Sequence, residues 1–217
     1  MNRSLSVEIV SDFVCPWCFI GSRRLSQAAA RLESVDVTVS YRPFLLDPNT
    51  PEAGGDLRDR LRQKYGVDPD SMFGRVEAAA RESGIPLDFS VVRRYASTLR
   101  AHTLVRAAEA KGSQQALAEA LFSAYFLEGK DIGDDEVLVT LATSAGGFSE
   151  AEARSLIGDP VALREAREEA LSYAGQGIDG VPFTIIAGQL AVPGAQSAEV
   201  FEMALRKALA ETAARGA

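Results

Sequence analysis

Segments with strand character sit at the two ends of this chain, and nearly everything between them has helical period. Residues 6–14, SVEIVSDFV, and residues 37–46, VTVSYRPFLL, are dense in Val, Ile, Phe and Tyr, the composition of strands. Residues 180–194, GVPFTIIAGQLAVPG, read as two more short strands joined by a turn at Gly188. A sheet built from these outer pieces is discontinuous in sequence yet one unit in space. That requirement constrains the fold more than any other feature of the chain.

Between the first two strands Trp17, Ile20, Leu25, Ala28, Ala29 and Leu32 recur at helical spacing, with Pro16 suited to the first turn, where its missing N–H is not needed. The turn-rich stretch DPNTPEAGG, residues 47–55, ends this β-α-β opening. From there to about Gly177 the period near 3.6 predicts helices over 56–65, 70–83, 91–111, 114–128, 134–145, 149–157 and 160–174, with no strong strand. A last amphipathic helix is expected over 197–213. The order β-α-β, helical block, β-β-α is a thioredoxin-like plan: an α/β fold with a large all-helical insertion. It divides the chain into a discontinuous body, residues 1–50 plus 175–217, and an inserted helical domain, residues 51–174.

The 217 residues carry 23 Lys and Arg against 30 Asp and Glu, and the net charge of −7 disfavours nonspecific attraction to nucleic acid or anionic lipid. The start, MNRSLSVEIVSDFV, lacks the apolar run and small-residue cleavage site of a secretory signal. No stretch approaches the roughly 18 apolar residues of a membrane span. The cytoplasm is therefore the expected address, and neither nucleic acid nor membrane is an expected partner. The composition leaves the oligomeric state open.

Both cysteines of the chain fall in one short stretch, DFVCPWCFIG, at the first strand-to-helix junction. Cys15 just ahead of Pro16 aims its sulfur at the unpaired N–H groups and positive dipole end of the helix, an environment that favours thiolate. Cys18, three residues on, shares that helical face and lies close enough to close a ring. One reading makes Cys15 the exposed attacking thiolate and Cys18 the more buried resolving thiol, with Pro16 and Trp17 tuning the loop between them. A second is zinc, but the chain has no other CxxC and a single histidine, His102, against the usual four ligands, so no metal site is expected. The third is two packed thiols without chemistry.

Other residues qualify as site candidates. Pro182, at the entry of a strand, fits either an ordinary trans proline or a cis peptide that would free the Val181 backbone to pair with an extended substrate. Phe13 and Trp17 could rim a substrate cleft, though core packing is as common for aromatics. Asp12 reads as a buried acid or a polar strand end, and His102 as packed or as site lining. Arg42-Pro43-Phe44 is expected near the cleft, and Arg23 and Arg24 on the solvated face of the first helix.

The segments SDFVCPWCFIG, YRPFLLDP, AHTLVRAAEAKG, ALFSAYFLEGKDIGDDEVL, GVPFTIIAG and VPGAQS occur in the order found in DsbA-like proteins of the FrnE type, and the chain resembles that group over nearly its whole length. It is also similar to the wider group containing 2-hydroxychromene-2-carboxylate isomerase and kappa-class glutathione transferase. The resemblance implies a thioredoxin fold with a helical insertion, a catalytic pair at Cys15 and Cys18, and a cis-proline at Pro182 facing them. It implies thiol-disulfide exchange with protein or peptide substrates, with no tightly bound cofactor and glutathione as a redox partner or cosubstrate. The alternative it carries is a glutathione-dependent isomerase or transferase acting on a small aromatic or electrophilic compound. Two departures favour disulfide chemistry. The glutathione-dependent relatives generally have serine at the position of Cys15, and a Ser-Asp pair after the glycine matching Gly194, where this chain has GAQS. Additional cysteines found in some FrnE-type proteins are absent here, which excludes a two-disulfide relay within the chain.

Overall fold

A computed structural model describes residues 3–215. In chain order the elements are β1 (Arg3–Ser11), α1 (Pro16–Ala30), β2 (Val35–Pro43), β3 (Gly55–Asp56), α2 (Leu57–Tyr65), α3 (Pro69–Glu82), β4 (Arg94–Tyr95), α4 (Leu99–Glu109), α5 (Gln114–Phe126), α6 (Asp135–Ala145), α7 (Glu150–Gly158), α8 (Pro160–Gly175), β5 (Phe183–Ile186), β6 (Leu190–Pro193) and α9 (Ala198–Arg215). The main sheet has the order β2-β1-β5-β6. β1 runs parallel to β2, from Arg3 opposite Val35 to Ser11 opposite Pro43, and antiparallel to β5, with Val7 opposite Ile186. Strands from opposite ends of the chain thus form one sheet, as the sequence pattern requires.

β1 is the central strand because its side chains satisfy both faces. Leu5, Val7 and Ile9 enter the main core, while Val10 packs with Phe44 and Ile178 in a smaller cluster. The β5–β6 turn places Ala187 and Gly188 at positive φ, the backbone that a tight hairpin demands. Aspartate-proline pairs start two helices alike. Asp68 and Asp159 accept the N–H of Asp70 and Val161, while Pro69 and Pro160 occupy positions whose N–H would have no partner.

α1 packs against α9, and α4, α5 and α8 reach β2. The apolar core continues from α1 into the helical block through aromatic contacts: Phe19 stacks on Phe122 at 5.3 Å, and Phe13 meets it tilted at 5.2 Å. Gln114 fastens the junction of sheet and helices. Its Oε1 accepts the Tyr41 N–H at 2.8 Å, and its Nε2 donates to the carbonyls of Tyr41 and Val105.

Three expectations need correction. The first strand covers residues 3–11, not 6–14, because Asp12–Val14 turn sharply and the Cys15 N–H donates to the Asp12 carbonyl at 3.0 Å. The helix expected over 91–111 begins only at Leu99. Residues 94–95 instead pair with Gly55 and Asp56 in a two-stranded ladder, inside the region expected to hold no strand. Arg24 does not lie on a solvated face. Its guanidinium is largely buried and donates to Ser83 Oγ, Ala79 O and Ala195 O, tying α1 to α3 and to the segment before α9.

Candidate active site

Cys15 is the residue that caps α1. Its backbone is extended at φ −94° and ψ 111°, and Pro16 follows in the first turn. The cap position places the sulfur at the first turn, whose N–H groups lack intrahelical acceptors, but it makes no capping hydrogen bond to them. Its carbonyl accepts the Cys18 N–H at 3.0 Å, which draws the two cysteines onto one turn. Both thiols are free in the structure.

The two sulfurs have different surroundings. Cys15 is not the exposed thiol expected from the sequence: the turn after β1 and the overlying segments leave it only 5% exposed, though it opens on a cavity, whereas Cys18 has no exposure at all. Burial pushes the Cys18 thiol well above its ordinary value, and the adjacent Cys15 sulfur adds to the effect. The backbone of Asp12 pulls the other way, and the nearby Ser11 hydroxyl lies buried with no hydrogen-bond partner among the described residues. Ser11 was not singled out from the sequence; a serine ending a strand carries no signal of its neighbour across the turn.

Across from the pair, the Val181–Pro182 peptide bond is cis. The Cys15 thiol donates to the Val181 carbonyl at 3.7 Å, and the Pro182 carbonyl accepts the Gly194 N–H at 2.8 Å. Gly21 lets α1 approach this segment: a Cβ there would sit 2.9 Å from Pro182 Cγ. Cysteines near residue 15 and a backbone carbonyl near residue 181 therefore meet at one point.

Behind the pair is a buried polar group. Asp12 and His102 are 1% and 3% exposed. Asp12 Oδ2 accepts the Leu46 N–H at 2.8 Å. Its Oδ1 faces His102 Nε2 at 3.5 Å, with no well-formed hydrogen bond at either atom. Of the two readings of Asp12, the buried acid is the one found. His102 packs tilted against Phe13, ring centroids 4.7 Å apart. Phe13 is completely buried and belongs to the core rather than to a rim, because the turn after β1 folds it beneath α1 toward α5. His102 likewise does not line the cavity. Arg42 is engaged by Glu8 and Glu109, both at 2.9 Å, and is absent from the lining as well.

The cavity itself measures about 290 Å³. Val14, Cys15, Trp17 and Val181 form one side, and α2, α3 and α5 contribute Leu61, Phe73, Val76 and Phe126 on the other. These wall residues read in the sequence only as helical apolar positions, indistinguishable from ordinary core. Among the described residues no cluster of three or more His, Cys, Asp or Glu could hold a metal, and no helix is long and apolar enough to cross a membrane.

A four-stranded thioredoxin-like sheet, two cysteines on the first turn of α1 and an X-Pro segment facing them define a thioredoxin-fold protein of the two-cysteine kind. Residues 6–206 match the DSBA-like thioredoxin domain, and the chain belongs to that family. Its fold is similar to the crystal structure of the probable DsbA oxidoreductase SCO1869 from Streptomyces coelicolor, with a TM-score of 0.85 and 33% identity over 95% of this chain and 91% of the other. The uncharacterized protein YwbO of Bacillus subtilis (strain 168) is 26% identical over 93% of this chain and 96% of its own length. The cytosolic disulfide reductase DsbM from Pseudomonas aeruginosa, solved with GSH, shares the fold at a TM-score of 0.59 and 20% identity, covering 94% and 98% of the two chains.

Proposed function

We propose that this protein is a FrnE-type thiol-disulfide oxidoreductase acting through a mixed disulfide. The thiolate of Cys15 attacks one sulfur of a substrate disulfide; the Cys15–S bond forms, the substrate S–S bond breaks, and one substrate thiolate leaves. The Cys18 thiol then loses its proton and attacks Cys15. The Cys15–Cys18 bond forms as the second substrate thiol departs, so the protein is oxidised by two electrons and the substrate reduced. The reverse sequence oxidises a dithiol. Val181 and Pro182 align the substrate segment at Cys15, and Pro16 and Trp17 shape the loop. The reading rests above all on the division of the pair: Cys15 opens on a cavity, and Cys18 is sealed behind it. It takes residues 51–174 as an inserted helical domain on the body formed by 1–50 and 175–217, in a cytoplasmic protein.

The experiment is the redox equilibrium of the pair in glutathione buffers, followed by thiol trapping, with Cys15→Ser and Cys18→Ser controls. A reversible two-electron transition lost in both variants is expected, with Cys18→Ser accumulating a mixed disulfide at Cys15. Failure to form the intramolecular disulfide in any buffer overturns the reading.

One observation favours a second reading: the cavity at Cys15 is of a size for a small apolar molecule, which suits a glutathione-dependent isomerase or transferase. The segment after Gly194 argues against it. Gln196 Nε2 donates to the Pro193 carbonyl at 2.8 Å, and Ser197 Oγ accepts the Val200 N–H at the start of α9. The chain thus has Gln196, whose amide is turned back on its own turn, where the glutathione-dependent relatives are expected to have the acidic half of a Ser-Asp pair. Saturable glutathione binding that survives Cys18→Ser would revive this alternative.

A further inference from the structure

The cavity at Cys15 is more selective in its chemistry than disulfide exchange requires. Its walls are aromatic and aliphatic, and no carboxylate lines it, in a chain whose net charge is −7. Apart from Cys15 and the phenols of Tyr65, Tyr95 and Tyr125, the ionisable side chains on its lining are Arg60 and Lys64, one turn apart on α2. Arg60 is paired with Asp47. Lys64 makes no ion pair among the described residues; its Nζ lies 5.5 Å from the centre of the Tyr65 ring, itself half exposed. A cation with no ion pair among the described residues therefore lines the same apolar recess as Cys15.

Size adds a second restriction. About 290 Å³ is at the lower edge of small-ligand pockets, room for one bulky side chain and little more. Cys15 is only 5% exposed, and α2 and α3 stand over it. A disulfide embedded in the surface of a folded protein cannot bring its sulfur to that depth, whereas a slender one can.

Resting on the disulfide-exchange reading above, we propose that the substrate is a low-molecular-weight or short-peptide disulfide that carries, beside its sulfur, one bulky apolar group and a carboxylate. The apolar group fills the recess against Phe73, Val76 and Phe126. The carboxylate is held by Lys64. The sulfur meets Cys15 beside the Val181 carbonyl, and the electron balance is that already given: the substrate disulfide is reduced to two thiols as the Cys15–Cys18 bond forms.

The test uses the reduced full-length protein and three probes with similar leaving thiols: the disulfide-linked dimers of N-acetyl-Cys-Phe, of its C-terminal amide, and of N-acetyl-Cys-Ala. Single-turnover rates are read by thiol trapping. Burial of the phenyl group is expected to make the Phe acid faster than the Ala acid by roughly tenfold or more. Pairing with an exposed lysine is expected to make it faster than the Phe amide by about two- to fivefold, an advantage that fades with salt. Lys64→Met, at an exposed position, should bring the acid-to-amide ratio to one, and Met72→Trp, which fills the recess, should bring the Phe-to-Ala ratio to one. Equal rates for all three probes leave the dithiol reading standing and overturn the pocket assignment. So does an acid-to-amide difference that survives Lys64→Met, or a folded protein disulfide that reacts as fast as the Phe acid. No reaction with any probe, while the Cys15–Cys18 disulfide still forms in glutathione buffer, overturns the pocket assignment alone; failure of both overturns the dithiol reading as well.

Discussion

Gly21 lies in the middle of α1, where replacing glycine with alanine ordinarily stabilises a helix by about 0.5–1 kcal/mol. Here the added Cβ would meet Pro182 Cγ at 2.9 Å and Ala195 Cα and Cβ at 3.5 Å. Ordinary contact begins near 3.4 Å, so the proline ring must retreat by about half an ångström. It is not free to do so, since the Pro182 carbonyl holds the Gly194 N–H and the ring is part of the backbone. Overpacking of this kind costs about 1–3 kcal/mol. Gly74, in α3, is the matched control: a Cβ there meets nothing within 4 Å. Gly74→Ala should therefore gain about 0.5–1 kcal/mol, and Gly21→Ala should fall below it by the overpacking cost, about 1–3 kcal/mol. Urea unfolding of the two variants and the parent measures the difference directly. Gly21→Ala should also slow mixed-disulfide formation, because the displaced proline adjoins the carbonyl that contacts Cys15. If Gly21→Ala gains as much stability as Gly74→Ala, the close packing of α1 on the Val181–Pro182 segment is wrong, and the geometry of the site with it.

Two further outcomes follow from buried polar groups. Gln114→Leu removes three hydrogen bonds at the junction of β2, α4 and α5 and strands the Tyr41 N–H in the core; a loss of about 2–4 kcal/mol is expected in urea unfolding. Stability should also decline in alkali. Burial raises the Cys18 thiol and the phenols of Tyr41 and Tyr125, so each binds its proton more tightly folded than unfolded. Their contribution is complete below the unfolded values, about 8.5 for cysteine and 10 for tyrosine. Above those values it is lost with rising pH at up to about 1.4 kcal/mol per unit for each group. Cys18→Ala should abolish the part of the decline that begins near pH 8.5, and a stability flat to pH 11 would refute the assignment.

The sheet and the cysteine pair were legible because each is written locally. Val, Ile and Phe mark β1 and β5, and the CxxC sits at the turn between strand and helix. What the sequence hid was long-range. Residues 91–98 carry no breaker and continue the apolar-cationic pattern of α4, yet Arg94 and Tyr95 run extended because Gly55 and Asp56 offer them a ladder. Pairing across the fold overrode local preference there. Arg24 shows the same limit: on a helical wheel it is a surface arginine, and only the approach of α3 and the α9 approach segment makes it a buried clamp. Phe13 flanks the motif in sequence and His102 belongs to the family pattern, but the sharp turn after Ser11 buries Phe13, and His102 on α4 packs against it in the core. The cavity was illegible because a helix residue lining a recess and one packed in a core obey the same period.

The order of strands in the sheet bears on how the protein is made. Val7 pairs with Ile186, so on the ribosome the cysteines beside β1 are made well before the strand that pairs with it. Until β5 is made, β1 has only β2 as a neighbour, and one edge of the nascent sheet stays open beside the two thiols. The helical block, whose contacts are more local, can collapse first and shelter them from one side. Closure of the sheet by β5 then becomes the event that completes the site, and a chain released short of residue 186 would carry the reactive pair without the strand that governs it.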